Sequence, residues 1–186
     1  MKSVRVRDLM IPLEDYATVS EDADLYCAIQ ALEEARERSR QHPYRHRAIL
    51  VYDANRRIVG KLSQIDIVRS LEPKYETIDQ AEQLSRFGFG PEYMRRMIQE
   101  YGLWKSPLED ICKTAASYRV KDIMHAPGQG ECVSEEASLA EAIHQLIVGN
   151  HQSLLVTRGG EIVGILRLAD VFNKICEMIR ACRRSA

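Results

Sequence analysis

Apolar residues at Leu25, Ala28, Ile29 and Leu32 recur at the spacing of one face of a helix. Two β-branched runs follow, Ala48-Ile49-Leu50-Val51-Tyr52 and Arg57-Ile58-Val59-Gly60-Lys61-Leu62, with a turn at Asp53-Ala54-Asn55 between them. A second helix is expected from Ser63. The same order returns later: a helix over Leu139 to Ile147, strands over Ser153 to Thr157 and Glu161 to Leu166, a Gly159-Gly160 hairpin turn, and a long final helix from Leu168.

The recurrence extends to the residues themselves. Arg5-Val6-Arg7-Asp8-Leu9-Met10 reappears as Arg119-Val120-Lys121-Asp122-Ile123-Met124, and Val19-Ser20-Glu21-Asp22-Ala23-Asp24-Leu25 as Val133-Ser134-Glu135-Glu136-Ala137-Ser138-Leu139, at one constant offset. Ile58-Val59-Gly60 matches Ile162-Val163-Gly164, and Asp66 matches Asp170, at a shorter offset. The first copy therefore carries extra residues inside it. Each unit reads strand, helix, strand, strand, helix. A unit of this size cannot bury both of its faces alone, so the copies are expected to pack sheet against sheet with pseudo-twofold symmetry and a cleft between them. The predicted class is α+β, sandwich-like, with copies over 1–71 and 118–186 and a helical insertion over 72–117.

Composition constrains the function classes. The 186 residues carry 26 Lys+Arg against 27 Asp+Glu, which disfavours the cationic field of a non-specific nucleic-acid binder. Five scattered cysteines (Cys27, Cys112, Cys132, Cys176 and Cys182) without a C-x-x-C pair suit a reducing compartment, and they read as small core residues. Met1 to Asp8 alternates charged and apolar side chains where a signal peptide needs a continuous apolar segment, so a cytoplasmic protein away from membranes is expected. No nucleophile elbow, Walker loop or dinucleotide fingerprint is present, and no catalytic activity is expected. No metal site is expected either: Pro43 separates His42 from His46, and His125, His144 and His151 have no acidic or Cys partners at ligand spacing.

The order of elements, the Val-x-Asp-x-Met opening of each copy and the Gly-x-x-Ser-x-x-Asp ending of Gly60-Lys61-Leu62-Ser63-Gln64-Ile65-Asp66 resemble a tandem pair of CBS domains, the Bateman module. Where that family commonly has Pro-Val-Val-Asp, this chain has Leu50-Val51-Tyr52-Asp53 and Leu155-Val156-Thr157-Arg158. The resemblance implies that Ser63 and Asp66 hold the ribose of an adenosine nucleotide (AMP, ADP or ATP). A carboxylate can accept hydrogen bonds from both hydroxyls of a ribose diol, whereas it repels a phosphate. Ser-x-x-Asp before an apolar helix is equally a capping pattern, worth about 1 kcal/mol without any ligand. In the second copy, Gly164-Ile165-Leu166-Arg167-Leu168-Ala169-Asp170 keeps the Asp and replaces the hydroxyl with Arg167, which either faces a phosphate tail or is solvated. Arg45, His46 and Arg47 resemble the family's basic residues before this strand and are either phosphate contacts or solvated surface, with His151 and Gln152 as weaker counterparts. Val19 and Val133, at equivalent places in the two copies, complete the candidate ligand-binding set.

Two further stretches stand apart. Arg36, Arg38 and Arg40 interleave with Glu33, Glu34 and Glu37 as on a salt-bridged, solvated helix face. Residues 72–117 hold half of the chain's aromatics, with a helix expected over Thr77 to Arg86, another opening at Pro91, and a capping box at Ser106-Pro107-Leu108-Glu109. These helices either pack as extra core or form a homodimer or partner interface. Three function classes follow: a nucleotide-sensing regulatory module acting on an effector protein in trans, a ligand-free dimerisation scaffold, and, with neutral charge against it, a nucleic-acid binder.

Overall fold

The computed structural model describes residues 4–38, 48–75, 90–105 and 108–185. It has two small sheets, each backed by helices. In the first copy, β2 (Thr18–Ser20) leads into α1 (Leu25–Arg38), which returns the chain to β3 (Ala48–Tyr52) and β4 (Ile58–Ser63), followed by α2 (Gln64–Ser70). The second copy repeats this with β5 (Cys132–Ser134), α6 (Leu139–Val148), β6 (Ser153–Arg158), β7 (Glu161–Arg167) and α7 (Leu168–Ser185). Between them lie α3 (Pro91–Tyr101), α4 (Leu108–Ser117) and the single turn α5 (Val120–Ile123). The helix expected over 77–86 and the cap residues Ser106 and Pro107 lie outside the described residues. Among those described, no helix is long and apolar enough to cross a membrane.

In each copy the short strand runs parallel to the next one, which requires the helix as crossover, and the hairpin partner is antiparallel. The helices bury the predicted stripe: Leu25, Ala28, Leu32 and Ala35 on α1, and Leu139, Ala142 and Leu146 on α6. Strand alternation then splits the core into layers. Ile49, Val51 and Leu62 face the helices of the first copy, and Leu154, Val156 and Leu166 those of the second. Leu50, Leu155 and Ile165 point the other way and, with Tyr16, form the apolar layer between the sheets.

The two copies exchange their openings. The stretch from Val4 to Met10 packs in the core of the second copy, while Val120, Ile123 and Met124 pack in that of the first. The backbone contacts are reciprocal: Val6 N donates to Ala137 O at 3.0 Å and Leu139 N to Val4 O at 2.9 Å, mirrored by Val120 N to Ala23 O at 2.9 Å and Leu25 N to Tyr118 O at 3.3 Å. Charge pairs clamp each exchange, Arg7 with Glu136 and Lys121 with Asp22. Beyond each opening the chain adds to the other copy's sheet. β1 (Ile11–Pro12) pairs antiparallel with β7 through Ile11 and Ile165, and His125 bridges Lys61 on β4.

Gly60 and Gly164 make these additions possible. A Cβ on Gly164 would lie 2.5 Å from the Ile11 carbonyl oxygen, and one on Gly60 would lie 2.8 Å from Met124 Sδ and 3.0 Å from His125 O. The hairpin turn at Gly159 and Gly160 takes positive φ at both residues, as its dipeptide predicts.

The expectation for the cysteines needs correction. None of the five cysteines is a buried core residue: Cys27, Cys112 and Cys182 are exposed, and Cys132 and Cys176 are half-buried. Cys27 precedes the buried Ala28 on α1, where the rotation per residue turns it away from the core stripe. Of the two readings of the insertion, extra core fits part of it: Ala115 on α4 packs against the first core, whereas α3 contributes no buried residue and its Tyr93, Met94, Ile98 and Tyr101 remain exposed. The chain after it is tied down instead, with Leu103 buried and Trp104 N donating to Oε2 of the buried Glu72 at 2.6 Å.

Candidate functional site

The two strand-to-helix junctions, β4 to α2 and β7 to α7, occupy equivalent places and are built differently. At the first, Ser63 is the N-cap of α2 and the capping box is closed. Asp66 Oδ2 accepts from Ser63 N at 2.8 Å and from Ser63 Oγ at 2.5 Å, while Asp66 N donates weakly to Ser63 Oγ at 3.4 Å. Both side chains are half-buried. No described residue hydrogen-bonds Asp66 Oδ1.

At the second junction Arg167 takes the place of the serine and turns onto its own helix. Its Nε donates to Asp170 Oδ2 at 2.6 Å and its terminal nitrogen to Asp170 Oδ1 at 2.7 Å, a two-pronged pair that uses both carboxylate oxygens. The pair is largely withdrawn from solvent, with side chains 16% and 17% exposed. Arg167 is thus not a solvated side chain, and the anion it meets in this structure is Asp170. Tyr16 lies beside this pair in the inter-sheet layer. Burial pushes its phenol up to about 12, with the charge of Arg167 opposing the shift and that of Asp170 adding to it.

A third group was not visible as a site along the sequence. Lys61 and Ser63 stand two apart on β4 and so share a face, which Leu50, directly opposite Lys61, identifies as the inter-sheet one. Lys61 forms an ion pair with Glu131, and Glu131 Oε1 accepts from His125 Nε2 at 2.5 Å. His125 thus finds an acidic partner six residues on. Burial raises the Glu131 pKa, but hydrogen bonds from Lys61 and His125, with their charges, outweigh it and pull it down to about 2. The sequence does carry a signal for this group. At the equivalent positions of the other copy, Lys61 is Ile165, His125 is Ile11 and Glu131 is Ala17, so three charged or polar residues break the repeat together.

The remaining candidates distribute unevenly. Val19 and Val133 are buried in the separate cores of their own copies, so their side chains face helices and not the inter-sheet layer. Arg45, His46 and Arg47 lie outside the described residues. The His151 ring lies over Gly149, where an added Cβ would fall 2.1 Å from its Nε2, and the Gln152 carbonyl accepts from Leu168 N at 3.0 Å.

The CBS domain family model matches residues 6–73 and 120–177, which are the two copies. The chain belongs to the CBS domain family. Solved CBS structures share its fold at low identity. A CBS domain-containing protein of unknown function from Bacillus anthracis str. Ames Ancestor is 18% identical, with 95% of each chain covered and a TM-score of 0.63. CBSX2, solved in complex with AMP, is 19% identical over 94% of this chain and 97% of its own, with a TM-score of 0.56. The CBS domain of a bacterial CNNM/CorC family Mg2+ transporter, solved with ATP, is 17% identical over 94% of this chain and 89% of its own, with a TM-score of 0.57. Comparison with curated proteins gave no match.

Proposed function

We propose that this CBS protein is a non-catalytic regulatory module that binds an adenosine nucleotide (AMP, ADP or ATP) at the Ser63–Asp66 junction and acts on an effector protein in trans. The Asp66 carboxylate carries this reading. Its Oδ2 is held by Ser63, and its Oδ1 accepts no hydrogen bond from a described residue, so one oxygen is oriented and the other is available to ribose hydroxyls. The capping geometry thus serves the ribose reading by fixing the side chain. The AMP and ATP complexes of CBSX2 and the CorC-family domain support the choice of ligand class. Arg45, His46 and Arg47 immediately precede Ala48, the ladder partner of Ser63, and remain candidates for the phosphates.

At the second junction a nucleotide must first separate Arg167 from Asp170, so this site binds more weakly or stays closed. A thermal-shift panel of AMP, ADP and ATP on the wild type, Asp66→Ala and Asp170→Ala tests the assignment. Nucleotide is expected to raise the melting temperature of the wild type and of Asp170→Ala, and not that of Asp66→Ala. No shift in any of the three at millimolar nucleotide would favour a ligand-free scaffold.

We further propose that the module is a homodimer. Ile65 and Val68 on α2, and Phe172 and Ile179 on α7, are exposed apolar side chains on the outer helices. Val68 and Phe172 occupy equivalent positions in the two copies. Sedimentation should give twice the chain mass, reduced to a single chain by Val68→Asp combined with Phe172→Asp; a monomeric wild type would contradict the proposal.

A further inference from the structure

The Lys61, His125 and Glu131 group is not needed to build its corner of the fold, because the other copy builds the same corner from Ile165, Ile11 and Ala17. There Ile165 is 1% exposed and packs in the inter-sheet layer with Ile11. A partly buried ion pair in place of apolar packing gives little net stability, since removing the charges from water offsets their attraction. A charged group in a pseudo-symmetric position where an apolar one suffices points to a role in binding.

Its geometry indicates the ligand chemistry. The ladder bonds between Lys61 and His125, N to O at 3.0 and 2.9 Å, fix the two side chains beside each other. Both direct hydrogen-bond donors at a single anionic group, the Glu131 carboxylate. That group is held from the second copy, because Gln145 Nε2 donates to the carbonyls of Gly130 and Cys132, the neighbours of Glu131, at 2.7 and 2.8 Å. Lys61 shares its strand face with Ser63, so the donors and the Ser63–Asp66 pair border one surface.

We infer that Lys61 and His125 form a phosphate subsite for the nucleotide and that Glu131 is an internal anion occupying it, displaced when phosphate binds. This rests on the ribose assignment at Asp66 made above. A ligand phosphate and the Glu131 carboxylate compete for the same donors, so the tie between β4 of the first copy and the segment entering β5 of the second is released on binding. Glu131 therefore sets how strongly the module prefers a phosphorylated nucleoside over the bare nucleoside.

Calorimetric titration of AMP and adenosine into the wild type, Glu131→Gln and Lys61→Met tests this. Removing the competing charge in Glu131→Gln should tighten AMP by about tenfold, the scale of one charge-assisted hydrogen bond, and leave adenosine unchanged. Lys61→Met should bring the AMP and adenosine affinities close together. Equal AMP-to-adenosine ratios in all three proteins, with both ligands binding, would overturn the subsite while leaving the ribose assignment standing. Absence of binding by either ligand to any of the three would overturn both. Should Glu131→Gln fail to fold, the Lys61→Met ratio alone decides: a ratio unchanged from the wild type rejects the subsite.

Discussion

The junctions at Asp66 and Asp170 come from one duplicated sequence, and each has a cation nearby, yet the cation sits two residues apart in the two copies. In the first it is Lys61, paired with Glu131; in the second it is Arg167, paired with Asp170 itself. The shift separates two jobs that one carboxylate cannot do together. Asp170 closes a local ion pair at the start of α7, whereas among the described residues Asp66 is held only by the neutral Ser63, which leaves one oxygen open to the nucleotide proposed above. Where a duplicated motif keeps its Asp, its surroundings decide whether the carboxylate is fully paired within the motif or left with an open oxygen.

The comparison can be broken at several points, beginning with the close approaches that set the two junctions side by side. Gly164→Ala would drive a methyl into the backbone of Ile11 and should destabilise by about 3 kcal/mol. Gly60→Ala meets first the end of the Met124 side chain, which can move, and should cost about 1 kcal/mol. Urea denaturation of the two variants measures the difference, and equal losses would show that the exchanged openings are equally adaptable.

The two aspartates should then separate in stability. Asp170→Ala leaves a largely buried guanidinium without its carboxylate and should destabilise by about 2 kcal/mol. Asp66→Ala removes one half of a capping box and should lose about 1 kcal/mol. The order should invert when nucleotide binding is measured instead, and an identical order in both assays would merge the two roles.

The last comparison concerns acid. Glu131 is depressed to about 2 in the folded chain against an ordinary 4.5, so its contribution to stability is present above about pH 4.5 and is lost as pH falls toward 2. Glu131→Gln should flatten that part of the acid-denaturation profile. An unchanged slope would mean that Lys61 and His125 do not hold the carboxylate in solution.

Much of this arrangement was legible in the sequence. The repeats, the hairpins and the helices from Ser63, Pro91, Leu139 and Leu168 follow from periodicity and turn residues, and the observed bounds agree closely. The exchange of openings was not legible. Val6 and Val120 sit in near-identical contexts, so either segment matches either core, and β1 is two residues long, too short to show a strand pattern. Ser63 and Asp66 were legible as a pair because they lie three apart across one strand-to-helix junction. Lys61, His125 and Glu131 meet only after the exchange brings distant segments together, and Tyr16 comes under the charge of Arg167 in the same way. The trace they leave is the joint departure from Ile165, Ile11 and Ala17. The partner of Arg167 lay three residues away, but an Arg at a helix start reads as a dipole penalty until its side chain is seen to turn back.

The account stands most directly on which aspartate receives the nucleotide. Calorimetric titration of ATP into Asp66→Ala and Asp170→Ala, each checked for folding, measures this. The account predicts that binding is lost in Asp66→Ala and retained near the wild-type affinity in Asp170→Ala. Loss in Asp170→Ala with retention in Asp66→Ala would contradict it.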